Sequence, residues 1–472
     1  MSGSGTPVAD KKHILLNAFN MNSVGHIAHG LWTHPRDRSE DYRRLGYWTE
    51  LARTLERGKF DGLFLADIVG VNDVFGQSPE AALQESVQVP INDPLLLIPA
   101  MAAVTQHLGF GVTSNVSYER PYLFARRMST LDHLTEGRVG WNIVTGYLDS
   151  AARAHGLTEQ VRHDERYDMA DDYMDLVYKL WEGSWEDDAV LRDRAGRVFT
   201  QPGKVHRIVH DGPFHKLDAI HLSEPSPQRT PVLFQAGGSE RGREFAAMHA
   251  ECVFINAPTS ELNAFISADI RARAVRHGRR ADDIKVFAGA IVVVGATERE
   301  AREKYEDYRQ YASPAAGLTH FSASTGIDLS TYGLDDPIRY APTQAMVSAV
   351  ESITQRSPDK VWTVRKLLAL MELGSRTAAI VGSPEQVADE LQARVAQSGI
   401  DGFNLMRTVT PESYVDFVDL VVPVLQDRGV YKRDYAEGTL RHKLFGEGAK
   451  LPPRHAGAAR RYDAATAEEA AA

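Results

Sequence analysis

A glycine turn between a strand pattern and a helix pattern is the first candidate for chemistry. The stretch VLFQAGGSERGREFAA covers residues 232–247, begins apolar and β-branched, passes Gly237, Gly238 and Ser239, and continues as a predicted helix. Such a turn presents backbone N–H groups to an anion at a helix N-terminus. The G-x-G-x-x-G fingerprint and the P-loop lysine are absent. A single phosphate is therefore the simplest ligand, and a tight turn with Ser239 as N-cap is the structural alternative.

Two further segments carry polar side chains at positions suited to a ligand. Asn142 lies on a predicted strand, in WNIVTG, and offers both a donor and an acceptor to a flat heteroaromatic ring. His163 and Tyr167, in HDERYDMADDYMD, are four residues apart, so a helix places them on one face. The acidic residues of that segment favour the first turns of a helix rather than a metal site. A satisfied core amide is the structural alternative for Asn142.

Histidines and one carboxylate follow the first two predicted strands. His26 and His29, in MNSVGHIAHGLW, lack a third ligand at zinc-site spacing, so no metal is expected. One of them is a candidate proton donor at a barrel mouth, with an ordinary loop histidine as the alternative. Asp67 ends LFLAD, and a carboxylate after a buried strand needs a partner: a ligand N–H, a lysine or a helix end.

These residues must be positioned by an alternation of short apolar runs and longer amphipathic segments. Most of the runs are continuously apolar, as in parallel strands buried on both faces. Eight β–α alternations predict an α/β protein with a (β/α)8 TIM barrel, and an open doubly wound sheet is the main alternative. The predicted strands cover residues 13–19, 60–67, 108–117, 138–146, 231–237, 252–258, 286–295 and 400–406.

Two stretches interrupt the alternation and are predicted to be insertions, at about residues 185–230 and 313–375. Long insertions in a barrel commonly cover the active-site end as lids. We therefore predict one barrel domain with lid insertions over residues 13–430. A C-terminal extension over residues 431–472 follows, and its last residues are predicted to be disordered.

Composition excludes several other classes of protein. The 472 residues carry a formal net charge of −10 and no conspicuous basic run, so a nucleic-acid partner is not expected. The start MSGSGTPVADKK lacks an apolar signal core, and no apolar run reaches 18 residues, which predicts a cytoplasmic protein without a membrane partner. The single cysteine, Cys252, lies in the apolar ECVFINAP and is predicted to be in the core. A G-x-S-x-G elbow is absent, which disfavours covalent hydrolysis.

Long ordered segments resemble one family. The resemblance is carried by NAFNMNSVGHIAHGLW, WTELARTLERGKFDGLFLADIVGVNDVF, ARRMSTLDHLTEGRVGWNIVT, HDERYDMADDYMDLVYKLWEGSWEDDAV and EPSPQRTPVLFQAGGSERGREFAA. These resemble the bacterial-luciferase-like FMN-dependent monooxygenases, within the nitrilotriacetate and dibenzothiophene-sulfone monooxygenase branch. The resemblance covers about residues 13–450 and is closest to the long-chain alkane monooxygenases, with dimethylsulfide monooxygenase and riboflavin lyase nearby. It implies a luciferase-like barrel in a homodimer or homotetramer.

The resemblance also implies a cofactor and partners. FMN would be taken up as FMNH2 from a separate NAD(P)H-dependent flavin reductase, with O2 as co-substrate and a C4a-(hydro)peroxide as the oxygen donor. His26 would protonate or orient the distal oxygen, Gln88 would hydrogen-bond substrate or flavin, and His320 would close over the pocket. The implied flavin contacts are Asp67, Thr113, Asn142, His163, Tyr167, Gly238 and Ser239.

Three positions depart from the alkane enzymes in the implied substrate pocket. Ser23, Asn72 and Tyr147 stand where those enzymes carry cysteine, tyrosine and histidine. A buried unpaired amide costs roughly 1–3 kcal/mol, so an apolar alkane gains little from Asn72. The predicted function is a two-component FMNH2-dependent monooxygenase that inserts one oxygen atom into a small substrate of the long-chain alkane or organosulfide class. The alternatives are a riboflavin lyase releasing lumichrome, a deazaflavin-dependent oxidoreductase and a non-catalytic flavin-binding protein.

Overall fold

The computed structural model describes residues 13–339, 343–346, 361–374 and 378–462. Within them, every predicted strand is present, with ends that differ by no more than three residues. Numbered along the chain, the strands are β1 (Leu15–Met21), β2 (Gly62–Ala66), β3 (Gly109–Asn115), β4 (Val139–Val144), β5 (Val190–Asp193), β6 (Val198–Thr200), β7 (Ile208–Asp211), β8 (Lys216–Ala219), β9 (Val232–Gln235), β10 (Cys252–Ile255), β11 (Lys285–Val294), β12 (Ile380–Gly382) and β13 (Gly402–Met406).

Eight of these strands close a parallel barrel. Their order is β10, β9, β4, β3, β2, β1, β13 and β11, and β11 pairs with β10 to complete the circle. This closure confirms the (β/α)8 prediction and excludes the open doubly wound sheet. The short strand β12 extends the far end of β11, pairing with Val292–Val294. The two hairpins β5–β6 and β7–β8 lie outside the barrel.

Helices connect the strands and pack around them. The α-helices are α1 (Leu45–Arg57), α2 (Glu80–Gln84), α3 (Ile98–Ala102), α4 (Pro121–Leu134), α5 (Asp149–Ala154), α6 (His163–Tyr178), α7 (Glu240–His249), α8 (Ser260–Arg276), α9 (Glu298–Arg309), α10 (Pro314–Thr325), α11 (Val364–Leu370), α12 (Pro384–Ser398), α13 (Glu412–Asp416), α14 (Val422–Asp427) and α15 (Leu440–Phe445). A π-helical turn over Lys179–Gly183 extends α6, and another over Phe417–Val421 joins α13 to α14. None of the described helices is long and apolar enough to cross a bilayer.

Local sequence explains where these helices begin. Ser239, Thr259, Ser313 and Ser383 each precede a helix, and each accepts a hydrogen bond from a backbone N–H of the first turn. This satisfies a donor that the helix itself leaves free. At the end of α12, Gly399 adopts φ +66°, the left-handed conformation common after a helix.

Aromatic rings fill the barrel interior and form a floor beneath its C-terminal end. Phe64 packs against Phe19 and Phe234, with ring centroids 5.6 Å apart in both pairs. Glycine is required at position 140, because a Cβ atom there would lie 2.6 Å from the Phe234 ring. The space above this floor is left for a site at the carboxyl ends of the strands, where barrel enzymes carry their chemistry.

The two insertions lie at different places. Residues 185–230, which are all described, pack against α4 and α6, where His221 Nε2 lies 2.9 Å from Ser129 Oγ. They contribute none of the residues that line the cavity at the carboxyl ends of the strands, which is described below. That the insertions act as lids stays a prediction. The second insertion carries α10 across the carboxyl ends of the strands. The predicted disorder of the last residues falls outside the described part of the chain.

The C-terminal extension closes the opposite end of the barrel. Leu440, the first residue of α15, donates its N–H to the Gly137 carbonyl at 2.8 Å. Arg441 forms a buried bidentate ion pair with Glu251, at 2.6 and 2.8 Å. The described part of the extension, residues 431–462, is therefore packed against this end of the barrel.

Candidate active site

A cavity of about 350 Å³ opens at the carboxyl ends of the strands. Its walls come from the ends of several barrel strands, from the first turns of α6 and α7, and from α10 above. Eleven of the predicted site residues line it: His26, Asp67, Gln88, Thr113, Asn142, Tyr147, His163, Tyr167, Gly238, Ser239 and His320. A shared cavity is consistent with these residues acting on one ligand.

The glycine turn forms one end of the cavity as a closely packed cradle. Gly237 donates its N–H to Gln235 Oε1 at 2.8 Å, and Ser239 Oγ accepts from the Gly242 N–H at 3.0 Å. The Tyr167 hydroxyl lies against both glycines, since a Cβ atom at Gly237 or Gly242 would be 3.0 or 2.8 Å from it. Only glycine admits the tyrosine here. The cradle thus joins a hydroxyl pair to the N-terminus of α7, an arrangement suited to a phosphate.

The two arginines beside this turn are committed to protein partners. Arg241 pairs with Asp168 and Asp171 of α6, at 3.1 and 2.5 Å. Arg243 donates to the Gly238 carbonyl at 2.7 Å and to Asp269 at 2.6 Å. Both side chains therefore fix the turn to its neighbouring helices.

The N-terminus of α6 contributes a buried cation that the sequence analysis missed. Arg166 donates to the Val161 and Gln344 carbonyls at 2.5 and 2.7 Å. Burial lowers the pKa of its guanidinium. Its Nε has no partner among the described residues. In the sequence this residue is the arginine of HDERYD, between two predicted site residues. The rings of those residues, His163 and Tyr167, lie 5.3 Å apart.

Two asparagine side chains line the cavity, and the amide oxygen of each has no hydrogen-bond partner in the described chain. Thr113 and Asn142 are neighbours in the β3–β4 register, and Asn142 Nδ2 donates to Thr113 Oγ1 at 2.8 Å. Within the described chain, Asn142 Oδ1 and Asn256 Oδ1 are buried and accept no hydrogen bond. Buried acceptors without partners carry a desolvation cost that a bound donor would remove. Asn256, just after β10, was not predicted.

Asp67 lies in the cavity wall after β2. Burial, reinforced by the nearby charge of Asp93, raises the pKa of the Asp67 carboxyl to about 7. The group therefore changes between carboxylic acid and carboxylate near neutral pH, and in its protonated form it donates as well as accepts.

Three histidines cluster where the loop after β1 meets α10. The His26 ring packs edge-on against Phe19, with centroids 4.5 Å apart, and burial together with Arg407 holds the pKa of His26 well below its usual range. His29 Nε2 lies 3.0 Å from His320 Nδ1. Burial lowers the pKa of His29 to about 4. His26 and His29 are therefore neutral at physiological pH.

Ser23, Asn72 and Tyr147, the three residues that depart from the alkane enzymes, differ in whether they line the cavity. Tyr147 lines the cavity. Ser23 and Asn72 are fully buried outside the lining and bond to backbone: Ser23 Oγ donates to the Gly25 carbonyl at 2.8 Å, and Asn72 Nδ2 donates to the Val87 carbonyl at 3.0 Å. The Asn72 amide also lies 3.4 Å from Gln88 Oε1. Ser23 and Asn72 thus support the cavity wall without lining it.

Other chemistries find no support in the described residues. Burial raises the pKa of the Cys252 thiol, which lies in the core as predicted and away from the cavity. Histidine, cysteine and acidic side chains form no group that could hold a metal ion among the residues that the structure describes.

Comparison with known proteins identifies the family. Residues 26–402 match the family model described as luciferase-like monooxygenase, and the chain belongs to this flavin-dependent family. It is 53% identical to the long-chain alkane monooxygenase of Geobacillus thermodenitrificans (strain NG80-2), over 94% of this chain and 97% of that protein. It is 49% identical to the dimethyl-sulfide monooxygenase of Hyphomicrobium sulfonivorans, over 92% and 91%.

A solved structure agrees with this assignment. The crystal structure of a riboflavin lyase with modified FMN and riboflavin has a TM-score of 0.90 and 39% identity, covering 96% of this chain and all of that one. The chain is accordingly a monooxygenase of the luciferase-like class, a family that uses reduced flavin and O2.

The residues present fit a flavin. The cradle at Ser239 suits a phosphate, and the cavity continues between aromatic and aliphatic walls that suit a ring system. Asn142 Oδ1 and Asn256 Oδ1 remain available, within the described chain, to accept from ring or hydroxyl donors. The cavity thus offers an anion site, an apolar wall and unused acceptors in one continuous space.

Proposed function

We propose that this chain is the oxygenase of a two-component FMNH2-dependent monooxygenase, supplied with FMNH2 by a separate NAD(P)H-dependent flavin reductase. The observation that carries the proposal is the phosphate cradle at one end of a cavity whose other end lies under α10. When bound, reduced FMN supplies the electrons that activate O2 for transfer of one oxygen atom. The protein supplies binding, orientation and exclusion of water.

The cradle residues would bind the phosphate. Ser239 Oγ, the Tyr167 hydroxyl and the backbone N–H groups at the start of α7 supply neutral donors around one point. His163 adds a further donor on the same side, with its ring beside Tyr167. A phosphate held by such donors at a helix N-terminus requires no arginine contact.

Polar groups along the cavity would orient the isoalloxazine ring and the ribityl chain. Asn142 and Thr113 act as one unit, because the amide is fixed by its bond to the threonine hydroxyl. Asp67 in its acid form can donate to a ring acceptor, and as a carboxylate it can accept from a ring N–H. His26 and Gln88 stand further toward α10, where they would position oxygen and substrate.

The substrate end favours an apolar molecule. Its wall includes Ile68, Val69, Phe321, Met346 and Met371. Flexible methionine side chains adapt to aliphatic and sulfur-containing ligands. His26 is neutral, so its side chain brings no positive charge to this space. We therefore propose a long-chain alkane or organosulfide-class substrate, with riboflavin as the alternative.

Rapid mixing tests the cofactor half of this proposal. The protein is loaded anaerobically with photoreduced FMN and mixed with oxygenated buffer, and the absorbance of oxidised flavin is followed. We expect this absorbance to return more slowly than for free FMNH2, because enclosure between the strand ends and α10 limits the access of water to the flavin. Return at the rate of free FMNH2 contradicts the proposal and favours the deazaflavin-dependent or non-catalytic alternatives.

Product analysis tests the substrate half. A straight-chain alkane, a dialkyl sulfide and riboflavin are each supplied with FMNH2 and isotopically labelled O2. One labelled oxygen atom in an alcohol or sulfoxide supports the proposed class. Lumichrome from riboflavin identifies the lyase instead. Light scattering on the same sample tests the accompanying proposal of a homodimer or homotetramer.

A further inference from the structure

Arg166 is the only lysine or arginine that lines the cavity among the residues that the structure describes. It lies near the start of α6, directly before Tyr167 of the phosphate cradle, and the residue is 1% exposed. Burial lowers the pKa of its guanidinium, but an arginine remains charged in a folded protein. The cradle end of the cavity therefore carries a fixed positive charge.

This charge has no counter-ion in the described chain. Nη1 and Nη2 of Arg166 donate to the Val161 and Gln344 carbonyls, which are uncharged acceptors. Asp149 and Asp164 act on the guanidinium only through space, and neither forms an ion pair with it. The guanidinium is thus oriented by two carbonyl oxygens while its charge stays uncompensated.

An uncompensated charge in the interior is costly, and buried charges in proteins are normally paired. Arg441, at the other end of the barrel, follows that rule through its ion pair with Glu251, whereas Arg166 does not. An anion bound at the cradle end of the cavity would supply the missing counter-charge. This end is therefore suited to a negatively charged group rather than to an uncharged polar one.

The charge of Arg166 acts on the cradle itself. Burial raises the pKa of the Tyr167 hydroxyl, and the charge of Arg166 opposes this rise more strongly than the charge of Arg241 does. Arg241 is also neutralised by its ion pairs with Asp168 and Asp171. Arg166 is thus the cation with the larger effect at the hydroxyl where a phosphate would bind.

We propose that Arg166 supplies the positive charge of the phosphate cradle and thereby makes the cavity select FMN over uncharged riboflavin as the bound flavin. The inference rests on the proposed function, which places the flavin phosphate in the cradle. A phosphate monoester carries a charge of about −1.5 to −2 at pH 7, so it is a suitable counter-ion for the guanidinium. Only the charge is required, because Ser239 and the first turn of α7 would supply the hydrogen bonds to the phosphate.

Displacement calorimetry compares the two flavins in the wild type and in R166Q. FMN is titrated into flavin-free protein and into protein saturated with riboflavin, so that the riboflavin affinity is measured at the position that FMN occupies. We expect R166Q to bind FMN about 10- to 100-fold more weakly, because the phosphate loses its counter-charge. Riboflavin affinity should change by less than about threefold. An unchanged FMN affinity, or equal losses for both flavins, overturns the inference.

Arg279 supplies a matched control. It is also buried, donates to the Ala247 and Asp283 carbonyls at 2.9 and 3.2 Å, and has an Nε that lacks a partner in the described chain, as Arg166 does. It does not line the cavity. R279Q therefore measures the loss of stability when such an arginine is removed, and its FMN affinity should equal that of the wild type. An R279Q variant that binds FMN as weakly as R166Q contradicts a specific role for Arg166.

R166K separates the charge from the hydrogen bonds. Lysine keeps the charge but lacks the planar fork that joins Val161 to Gln344. We expect R166K to retain most of the preference for FMN, and a preference as low as that of R166Q would sink the inference. Should R166Q not fold, R166M provides the uncharged side chain. Similar affinities of the wild type for FMN and riboflavin refute the inference without any variant.

These outcomes are distinct from those that test the proposed function. If the wild type prefers FMN through Arg166 but reoxidises FMNH2 at the rate of the free flavin, the monooxygenase proposal fails and the inference stands. If the wild type protects reduced flavin while R166Q keeps the wild-type preference for FMN, the proposed function stands and the inference fails.

Discussion

The two ends of the barrel use their buried polar groups differently. At the amino ends of the strands, Arg441 and Glu251 satisfy each other, and Arg441 donates to four backbone carbonyls as well. At the carboxyl ends, Asn142, Asn256 and His26 each keep a buried atom that has no partner in the described chain. One end uses polar groups to close the fold. The other leaves them available to a ligand at a cost in stability.

The closed end should show the largest effect on stability. In E251Q the Arg441 guanidinium keeps its buried position but loses its counter-charge, and breaking one partner of a buried pair costs about 3–5 kcal/mol. Urea unfolding should show this loss. FMN affinity of the folded fraction should be unchanged, because neither residue lines the cavity. A loss of FMN affinity without a loss of stability would contradict the division between the two ends.

A variant of the phosphate cradle should show the reverse, a large loss of FMN affinity with a small loss of stability. S239A removes an N-cap and a phosphate donor, whereas S383A removes only the N-cap of α12, which does not line the cavity. Both should lose about 1 kcal/mol of unfolding free energy. Only S239A should bind FMN about 10- to 100-fold more weakly, the range for a hydrogen bond to a charged group. Calorimetric titration with FMN measures this, and equal affinities in the two variants would remove Ser239 from the cradle.

The same contrast explains how far the sequence was informative. The barrel strands are predictable because each is a continuous apolar run buried on both faces. The strand β12 was missed, since IVG is too short to stand out. The hairpins of the first insertion were missed because their strands are short and largely exposed, which leaves little apolar alternation to detect.

The candidate site divides in the same way. The glycine turn is a local pattern, so its geometry could be predicted from Gly237 to Ser239. The role of Asn256 depends on barrel closure, which brings the end of β10 beside the same cavity as Asn142. Ser23 and Asn72 were predicted to face substrate but lie outside the lining, because in irregular loops the direction of a side chain is set by tertiary contacts rather than by a period.

Asp67 allows the loss of stability caused by buried polar groups at the carboxyl ends of the strands to be measured as a pH dependence. Its pKa is about 7 in the folded protein and about 3.9 in an unfolded chain, so the folded state binds the extra proton between these values. Stability of the flavin-free protein should therefore fall as pH rises from 4 to 7 and then level off. Three pKa units correspond to about 4 kcal/mol, and contact with cavity water reduces the expected loss to about 2 kcal/mol.

The variant D67N should remove most of this slope. Thermal unfolding of the flavin-free protein at several pH values measures it, and exposed Glu80→Gln serves as the control because Glu80 lies at the surface in α2. A D67N profile as steep as that of the wild type would show that Asp67 is not the group that titrates.

At the carboxyl ends of the strands, the smallest effect on stability is expected from substitution of Asn142. In N142L the leucine has the same number and branching of side-chain heavy atoms as asparagine, and it eliminates both the bond to Thr113 and the acceptor that lacks a partner in the described chain. The first loss costs about 1 kcal/mol and the second returns a similar amount, so the unfolding free energy of the flavin-free protein should change by less than about 1 kcal/mol. FMN binding should weaken about tenfold, since a ring or hydroxyl donor loses its acceptor. A variant that is clearly less stable yet binds FMN normally would show that Asn142 belongs to the closed, structural class of polar groups after all.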